Sequence, residues 1–308
     1  MKTLIIVNPT SGRGYAETVI PQIEDLLSAR GLDFEIKRTE RPWHAAELAE
    51  RAACEGVDVV VSASGDGTAN EVLNGLMRAR EAGFDKTALG LLPIGTGNDF
   101  AYGMGIREEL EKNCEILAKN EHILMDVGVV RGGDYPEGRY FGNGVGIGFD
   151  AAVGFEAEKI RFTRGLLTYL IAAMRTVFLY YKAPTVEISY NGETFSQPSL
   201  MISIMNGQRM GGGFYMAPQG SPSDGELDLC IASEAPKLRI FQLINFFLSG
   251  TQAGQPEIKT GRTKQISVRA VKGTLPAHCD GETLCYEGQQ LDVEIIPQAL
   301  AFVSGESL

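Results

Sequence analysis

The sequence predicts two joined folds: an α/β domain built on a parallel sheet, then a mainly antiparallel β-sandwich. Three observations predict this. Short apolar runs alternate with amphipathic stretches over the first 120 residues, the pattern of βα units. After Met125 the texture changes to short alternating segments, with turn signals at Asn191-Gly192 and Asp224-Gly225. The glycine-rich turns of the first part all follow strands, and parallel sheets bind ligands at the carboxyl ends of strands.

Residues 3–7 (TLIIV) read as a buried strand, and 16–29 as a helix with Val19, Ile20, Ile23, Leu26 and Leu27 at helical spacing. Residues 34–36 make a brief strand, 43–54 an alanine-rich helix and 57–61 (VDVVV) a β-branched buried strand. A helix over 69–82 and a strand over 89–92, ending at Pro93, complete the alternation. Such continuous apolar strands suit a sheet covered on both faces. In the second part, 127–131, 139–145, 185–190, 200–204, 227–231, 265–271 and 291–295 read as strands. Helical stretches over 151–181 and 237–248 interrupt them. The boundary falls near residue 125, dividing an α/β domain (1–125) from a β-sandwich domain (126–295).

Composition narrows the function. Of 308 residues, 44% are hydrophobic and 22% charged, and the five Cys are sparse; neither disorder nor a disulfide scaffold organises this chain. Lys and Arg number 28 against 39 Asp and Glu, a net charge of −11. So acidic a chain is a poor bulk ligand for nucleic acid or anionic lipid. An anionic ligand must be held by local dipoles, a metal or a few placed cations. No stretch reaches the ~20 apolar residues of a membrane span. The apolar run before Asn8-Pro9 is too short for a secretory signal. The expectation is a cytoplasmic protein, one that visits the inner face of the membrane if its substrate is a lipid.

The sharpest element is Val60-Val61-Ser62-Ala63-Ser64-Gly65-Asp66-Gly67-Thr68-Ala69-Asn70-Glu71. A strand runs into a small-residue turn and then a helix. Gly65 and Gly67 admit close backbone approach and positive φ. The helix N-terminus after them offers free N–H groups to a phosphate. Asp66 beside a phosphate makes sense if a cation such as Mg²⁺ bridges the two; the alternative is a tight turn with Asp66 as the helix cap. Leu92-Pro93-Ile94-Gly95-Thr96-Gly97-Asn98-Asp99 repeats the design, with Thr96 and Asp99 at its lip. Asn8-Pro9-Thr10-Ser11-Gly12-Arg13-Gly14 is a third turn, short of a Walker A. Neighbouring parallel strands bring such turns to one sheet edge. Asp280-Gly281-Glu282 supplies two carboxylates two residues apart, which share a face on an extended strand. Either can accept the proton of an alcohol, with Asp280 slightly favoured.

These residues resemble one family. Asn8-Pro9 with Gly12, the Gly65-Asp66-Gly67-Thr68 turn with Asn70-Glu71, and Gly95-Thr96 with Asn98-Asp99 are similar to the catalytic domain of the diacylglycerol kinases. The resemblance is to their soluble bacterial branch, which has sphingosine- and ceramide-kinase relatives. It continues through 143–150 (NGVGIGFD), Asn206-Gly207, 211–213, Ala217-Pro218, Ser223-Asp224-Gly225-Glu226-Leu227 and Asp280-Gly281-Glu282, nearly the whole chain. One departure is Ser64, where the family usually has glycine. A small capping residue leaves the turn intact with a slightly altered phosphate approach.

The resemblance implies a first domain of NAD-kinase/phosphofructokinase-like fold, to which residues 296–308 return. It implies ATP- and Mg²⁺-dependent phosphorylation of a lipid hydroxyl in the interdomain cleft, foremost diacylglycerol to phosphatidic acid, a step of phospholipid biosynthesis. It seats ATP on Asn8, Pro9, Thr10, Ser11, Gly12, Thr39, Gly65, Asp66, Gly67, Thr68, Ala69, Asn70, Glu71 and Thr96. It implies a structural Mg²⁺ around Ser221, Asp224 and Glu226, held by backbone carbonyls beside the Asp224 carboxylate, and a carboxylate–water–metal network of Asp66, Asp99 and Asp126. It also implies a proton acceptor in Asp280 or Glu282. A homodimer is allowed for, and nucleic acid is not expected as a partner.

Two alternatives stay open: a soluble-metabolite kinase similar to the NAD kinases, which share the Gly-Asp-Gly-Thr turn, and a non-catalytic lipid or nucleotide sensor. Residues 159–182 mix Arg161, Arg164 and Arg175 with Phe162, Leu166, Leu167, Tyr169, Leu170, Phe178, Leu179 and Tyr180. With 241–248 (FQLINFFL), they read either as a surface that meets lipid headgroups or as core helices with solvated ends. His44, His122 and His278 read as packing or surface residues. Cys279 and Cys285 lack metal-ligand spacing.

Overall fold

A computed structural model of the chain describes residues 1–106, 109–160, 163, 166–179 and 182–305. Arg161, Phe162, Arg164 and Tyr180 of the basic apolar stretch lie outside the described residues, as do 306–308 of the tail. The chain divides into two compact units, Met1–Val127 with Pro297–Leu308, and Gly128–Ile296.

The first unit alternates β1 (Lys2–Val7), α1 (Tyr15–Ser28), β2 (Asp33–Arg38), α2 (His44–Cys54), β3 (Val59–Ser64), α3 (Asp66–Glu81) and β4 (Ala88–Pro93). Then come α4 (Asp99–Gly103), α5 (Leu110–Lys119) and β5 (His122–Gly132), which leads out of the unit. β1 lies between β2 and β3, β3 pairs with β4, and all run parallel. Their β-branched runs bury Ile5, Val7, Val59 and Val61 against Ile20, Ile23 and Leu27 of α1. Alternate residues of a strand face opposite ways, so burial at every position of β3 needs helices on both sides of the sheet. α2 and α3 pack together through small residues. Ala45, Ala46 and Ala49 are buried, and a Cβ on Gly75 would strike the Ala46 carbonyl.

The second unit holds β6 (Tyr135–Phe141), β7 (Gly144–Gly148), α6 (Phe149–Glu158), α7 (Leu166–Leu179), β8 (Thr185–Tyr190) and β9 (Glu193–Met205). There follow β10 (Arg209–Met210), β11 (Phe214–Tyr215), β12 (Leu227–Ser233), α8 (Lys237–Ser249), β13 (Ile258–Thr263), β14 (Gln265–Lys272), β15 (Leu275–Cys279) and β16 (Glu282–Gly288). The last strand, β17 (Gln290–Val303), pairs antiparallel with β14 in this unit. Its end belongs to the first unit, where Phe302 pairs parallel with Leu89 of β4. β9 is the switch between sheets: Glu193–Pro198 pair with β8, while Met201–Met205 pair with β7 and β12, all antiparallel. Ile202 and Ile204 point into a core shared with Val145, Ile188, Leu229, Val268 and Leu291. Met201 and Met205, on the other face, pack under Val153, Ala173, Val177, Leu243 and Phe247 of α6, α7 and α8. This is the predicted fold class, a parallel α/β part followed by antiparallel β structure.

Two boundaries differ from the sequence expectation. The strand expected over 139–145 breaks between β6 and β7, because the amides of Gly142, Asn143 and Gly144 donate to the Asp280 carboxylate. The helical stretch expected over 151–181 contains two helices, α6 and α7. Among the described residues, no helix is long and apolar enough to cross a membrane.

Candidate functional site

In the first unit, three loops leave the carboxyl ends of β1, β3 and β4 and meet. After β1, Gly12, Arg13 and Gly14 take φ of 58°, 59° and 90°, a left-handed run. Gly65 has φ of −96°, so its missing side chain serves close approach rather than a left-handed turn. A Cβ there would lie 3.1 Å from Gly95 Cα and 3.5 Å from Ser11 Oγ. A Cβ on Gly95 would overlap Gly65 Cα, and one on Gly12 would lie 2.9 Å from the Ile94 carbonyl oxygen.

Side chains stitch these loops together. The Asn8 N–H donates to Ser64 Oγ at 2.8 Å, and Asn8 Nδ2 to Thr68 Oγ1 at 3.4 Å. Asn8 Oδ1 accepts from the Thr10 N–H at 3.0 Å and the Thr10 hydroxyl at 2.8 Å. Ser64, the departure from the usual glycine, is thus the acceptor that ties the β1 loop to β3. Pro9 and Ser11 belong to that first loop, and Thr96 is exposed on the third. The Thr39 N–H, just past β2, donates to the Val7 carbonyl at 2.9 Å. The amides of Asp66, Gly67 and Thr68 form the first turn of α3, the end of a helix that suits an anion. Ala69 begins the helical ladder by donating to the Gly65 carbonyl at 3.1 Å. Asn70 is fully buried, and its carbonyl accepts from Asn74 Nδ2 at 2.8 Å. The Glu71 carboxylate accepts the N–H groups of Trp43 at 2.9 Å and Ala45 at 3.2 Å, which caps α2.

The three acids of the expected network also have partners in the protein. Asp66 Oδ1 accepts the Phe100 N–H at 3.0 Å, fastening α4 to the second loop. Asp99 opens α4 and is buried. Asp126 is fully buried, and its Oδ1 accepts the Gln298 N–H at 2.7 Å, a residue held at φ of 49°. Among the described residues, no group of three or more His, Cys, Asp or Glu gathers to hold a metal ion. Mg²⁺ needs only one or two carboxylates where phosphates supply the remaining oxygens, and Asp66, at the loop edge, fits that lesser demand.

In the second unit, Asp280 and Gly281 form the turn between β15 and β16, with φ of 48° and 84°. Such a left-handed pair closes tight hairpins. The expectation of a shared strand face for Asp280 and Glu282 therefore fails, because the turn falls between them. Asp280 is 4% exposed. Its Oδ2 accepts the Gly142 N–H at 2.9 Å, and its Oδ1 those of Asn143 at 3.0 Å and Gly144 at 2.8 Å. Glu282 opens β16 and is exposed. On β15, His278 Nε2 lies 3.9 Å from Asp150 Oδ2 of α6. Burial pushes the Asp150 carboxyl up to about 7 and the His278 imidazole down to about 4. A Cβ on Gly146 would collide with both groups, so the glycine makes room for the pair.

The expected structural metal residues stand ahead of β12. Ser221 Oγ lies 3.4 Å from Ser223 Oγ, and Asp224 Oδ1 accepts the Glu226 N–H at 3.1 Å. Both acids also meet the guanidinium of Arg262 on β13. Sequence reasoning passed over Arg262 because it lies in no motif. The signal that finds it is strand register, Asp228 opposite Arg262.

Residues 2–130 match the diacylglycerol kinase catalytic domain, and 143–304 the YegS C-terminal NAD kinase β-sandwich-like domain. The chain is 30% identical to the diacylglycerol kinase of Bacillus subtilis (strain 168) over 281 residues, 90% of this chain and 88% of that one. It is 30% identical to the lipid kinase YegS of Escherichia coli (strain K12) over 304 residues, 97% and 94% of the two chains. In fold it is similar to a diacylglycerol kinase structure from Bacillus anthracis str. Sterne, with a TM-score of 0.74 at 21% identity over 99% of this chain and 97% of that one. It is more distantly similar to an NAD kinase from Archaeoglobus fulgidus solved with ATP, with a TM-score of 0.54 at 15% identity over 99% and 94%. Taken with the glycine loops at the sheet edge, these matches make the chain a member of the diacylglycerol kinase family of lipid kinases.

Proposed function

We propose that the protein transfers the γ-phosphoryl group of ATP to the free hydroxyl of diacylglycerol, giving phosphatidic acid and ADP. The observation that carries this reading is the meeting of the Gly12, Gly65 and Gly95 loops at the carboxyl ends of three parallel strands. Backbone amides and the α3 N-terminus suit a triphosphate there, and phosphoryl transfer asks chiefly for positioning and charge neutralisation. Asp66 is the residue proposed to face a Mg²⁺ ion carried by the nucleotide. Such an ion, when bound, neutralises phosphate charge. Asn8, Ser64 and Thr68 keep the loops in register through their mutual hydrogen bonds.

Glu282 of the second unit is the proposed proton acceptor. As the acceptor oxygen bonds to the γ-phosphorus, the bond from that phosphorus to the bridging oxygen breaks and ADP leaves. The hydroxyl proton passes to the Glu282 carboxylate, which returns it to water. Asp280 is assigned a positioning role instead, since its carboxylate already accepts three backbone amides. The lipid is met at the inner face of the membrane by a protein otherwise in the cytoplasm.

The test is incubation with labelled ATP, Mg²⁺ and a total lipid extract, with the labelled product identified by mass spectrometry. Labelled phosphatidic acid is expected. Glu282→Gln should lower kcat by about 10²–10⁴ with ATP affinity and melting temperature unchanged. Asp280→Asn should lower the melting temperature, because the amide offers a weaker acceptor to the three N–H groups. Full turnover by Glu282→Gln would remove that residue from the role. Phosphorylation of NAD with no lipid product would favour the soluble-metabolite reading, and tight lipid binding without turnover the sensor.

A further inference from the structure

The acid loop before β12 is where the family resemblance implies a structural divalent ion, yet here it already faces a cation of the protein. Antiparallel pairing of β12 with β13 sets Arg262 across from Asp228. Asp228 lies on β12, while the bend at Asp224-Gly225, with Gly225 at φ of 77°, brings Asp224 and Glu226 to the same guanidinium. One guanidinium therefore reaches all three. Its NH2 bonds Asp224 Oδ2, its NH1 lies 3.0 Å from Glu226 Oε2, and its Nε lies 3.7 Å from Asp228 Oδ1. The other Asp224 oxygen accepts the Glu226 N–H, and Ser221 Oγ is beside Ser223 Oγ. A divalent ion held by the Asp224 carboxylate beside backbone carbonyls would need an oxygen that the guanidinium or the Glu226 N–H already holds, and would leave two cations side by side.

We propose that Arg262 is the resident cation of this loop, so that the fold of this enzyme does not depend on a structural divalent metal at Ser221, Asp224 and Glu226. The planar guanidinium suits the task, because its three nitrogens spread in fixed directions toward three separate carboxylates. Three acids against one arginine leave the cluster negative, so diffuse cation attraction must be separated from site binding.

The experiment uses the full-length chain without nucleotide, so its outcome does not depend on which lipid is phosphorylated. Melting temperature is measured in excess EDTA and in excess MgCl₂ at matched ionic strength, and Mn²⁺ bound per chain is counted by electron paramagnetic resonance. The wild type should melt alike in both buffers and bind no stoichiometric Mn²⁺ that Asp224→Asn abolishes. Arg262→Gln should melt lower in EDTA by about 3 °C, regain most of the loss in MgCl₂, and bind one Mn²⁺ per chain. Arg262→Lys, which keeps one charge and serves if the glutamine variant does not fold, should melt alike in both buffers. A wild type that melts lower in EDTA, or holds one Mn²⁺ that Asp224→Asn removes, overturns the proposal. So does an Arg262→Gln variant that is weakened yet indifferent to Mg²⁺.

Discussion

Burial sets the charge of the Asp150–His278 pair, and the two groups act on stability with opposite signs. Asp150 moves from 3.8 to about 7, so the folded protein keeps a proton that the unfolded chain releases. Its contribution declines as pH rises across that interval. His278 moves from 6.5 to about 4, so the folded protein refuses a proton that the unfolded chain accepts. Its contribution therefore grows as pH rises from 4 to 6.5. Between about pH 4.5 and 6.5 the pair binds one proton both folded and unfolded, and the slopes cancel. Single variants should uncover them. Relative to wild type, Asp150→Asn should become more stable as pH rises, by up to about 1.4 kcal/mol per unit, and His278→Gln less stable by a similar amount. Denaturant melts at pH 5 and pH 6 read the difference. Two variants sloping in the same direction would show that the groups are not held in these opposed states. The pair would be hard to foresee, because the sequence shows His278 near Asp280 and conceals its approach to Asp150 through the space at Gly146.

Glycine loops and hairpin turns are the elements that carry the site, and they differ in how far sequence discloses them. Parallel strands, alanine-rich α2 and the Asn191-Gly192 hairpin were legible because periodicity and turn chemistry are local. The three glycine turns were legible as loops after strands. Their mutual contact was not, since Gly65 and Gly95 meet only through the pairing of β3 with β4. α4 and α5 passed unnoticed because α4 is very short and α5 buries only Asn113, Cys114 and Leu117. Arg262 and the amide cradle of Asp280 depend on strand register and a long-range turn, which no local pattern encodes. The Gly65–Gly95 contact makes a sharp prediction. Gly95→Ala pushes a Cβ into backbone, which gives way less readily than a side chain, at a cost of about 2 kcal/mol. ATP affinity measured by calorimetry should fall on the order of tenfold or more. Gly154→Ala on α6, where a Cβ meets nothing within 4 Å, should bind ATP as wild type does. Equal affinity in the Gly95 variant would mean that the loops do not define the nucleotide seat.

For the proposed lipid phosphorylation, a whole molecule with a net charge of −11 has no bulk attraction to an anionic membrane to rely on. The second unit offers apolar surface instead. Leu167, Met174 and Phe178 are each more than half exposed and recur on one stripe of α7, and Leu238 at the start of α8 is 80% exposed. Lys237 Nζ donates to the Phe178 carbonyl at 3.2 Å, and the Phe178 and Phe241 rings lie 5.5 Å apart, which joins the two helices beside Leu238. Among the described residues nearby, Lys159 and Arg175 both pair with Glu156. Apolar insertion should therefore dominate adhesion, with charge a minor contributor. At about 1.5 kcal/mol for each inserted side chain, Phe178→Ser with Leu238→Ser should lower partitioning onto vesicles on the order of a hundredfold. Sedimentation with phosphatidylcholine vesicles containing diacylglycerol measures this, and wild-type binding should change little between low and high salt. The double variant should lose turnover on vesicles yet keep it on a water-soluble short-chain diacylglycerol, which needs no surface. Binding that salt abolishes, or a double variant that sediments as wild type does, would remove this stripe as the proposed lipid contact.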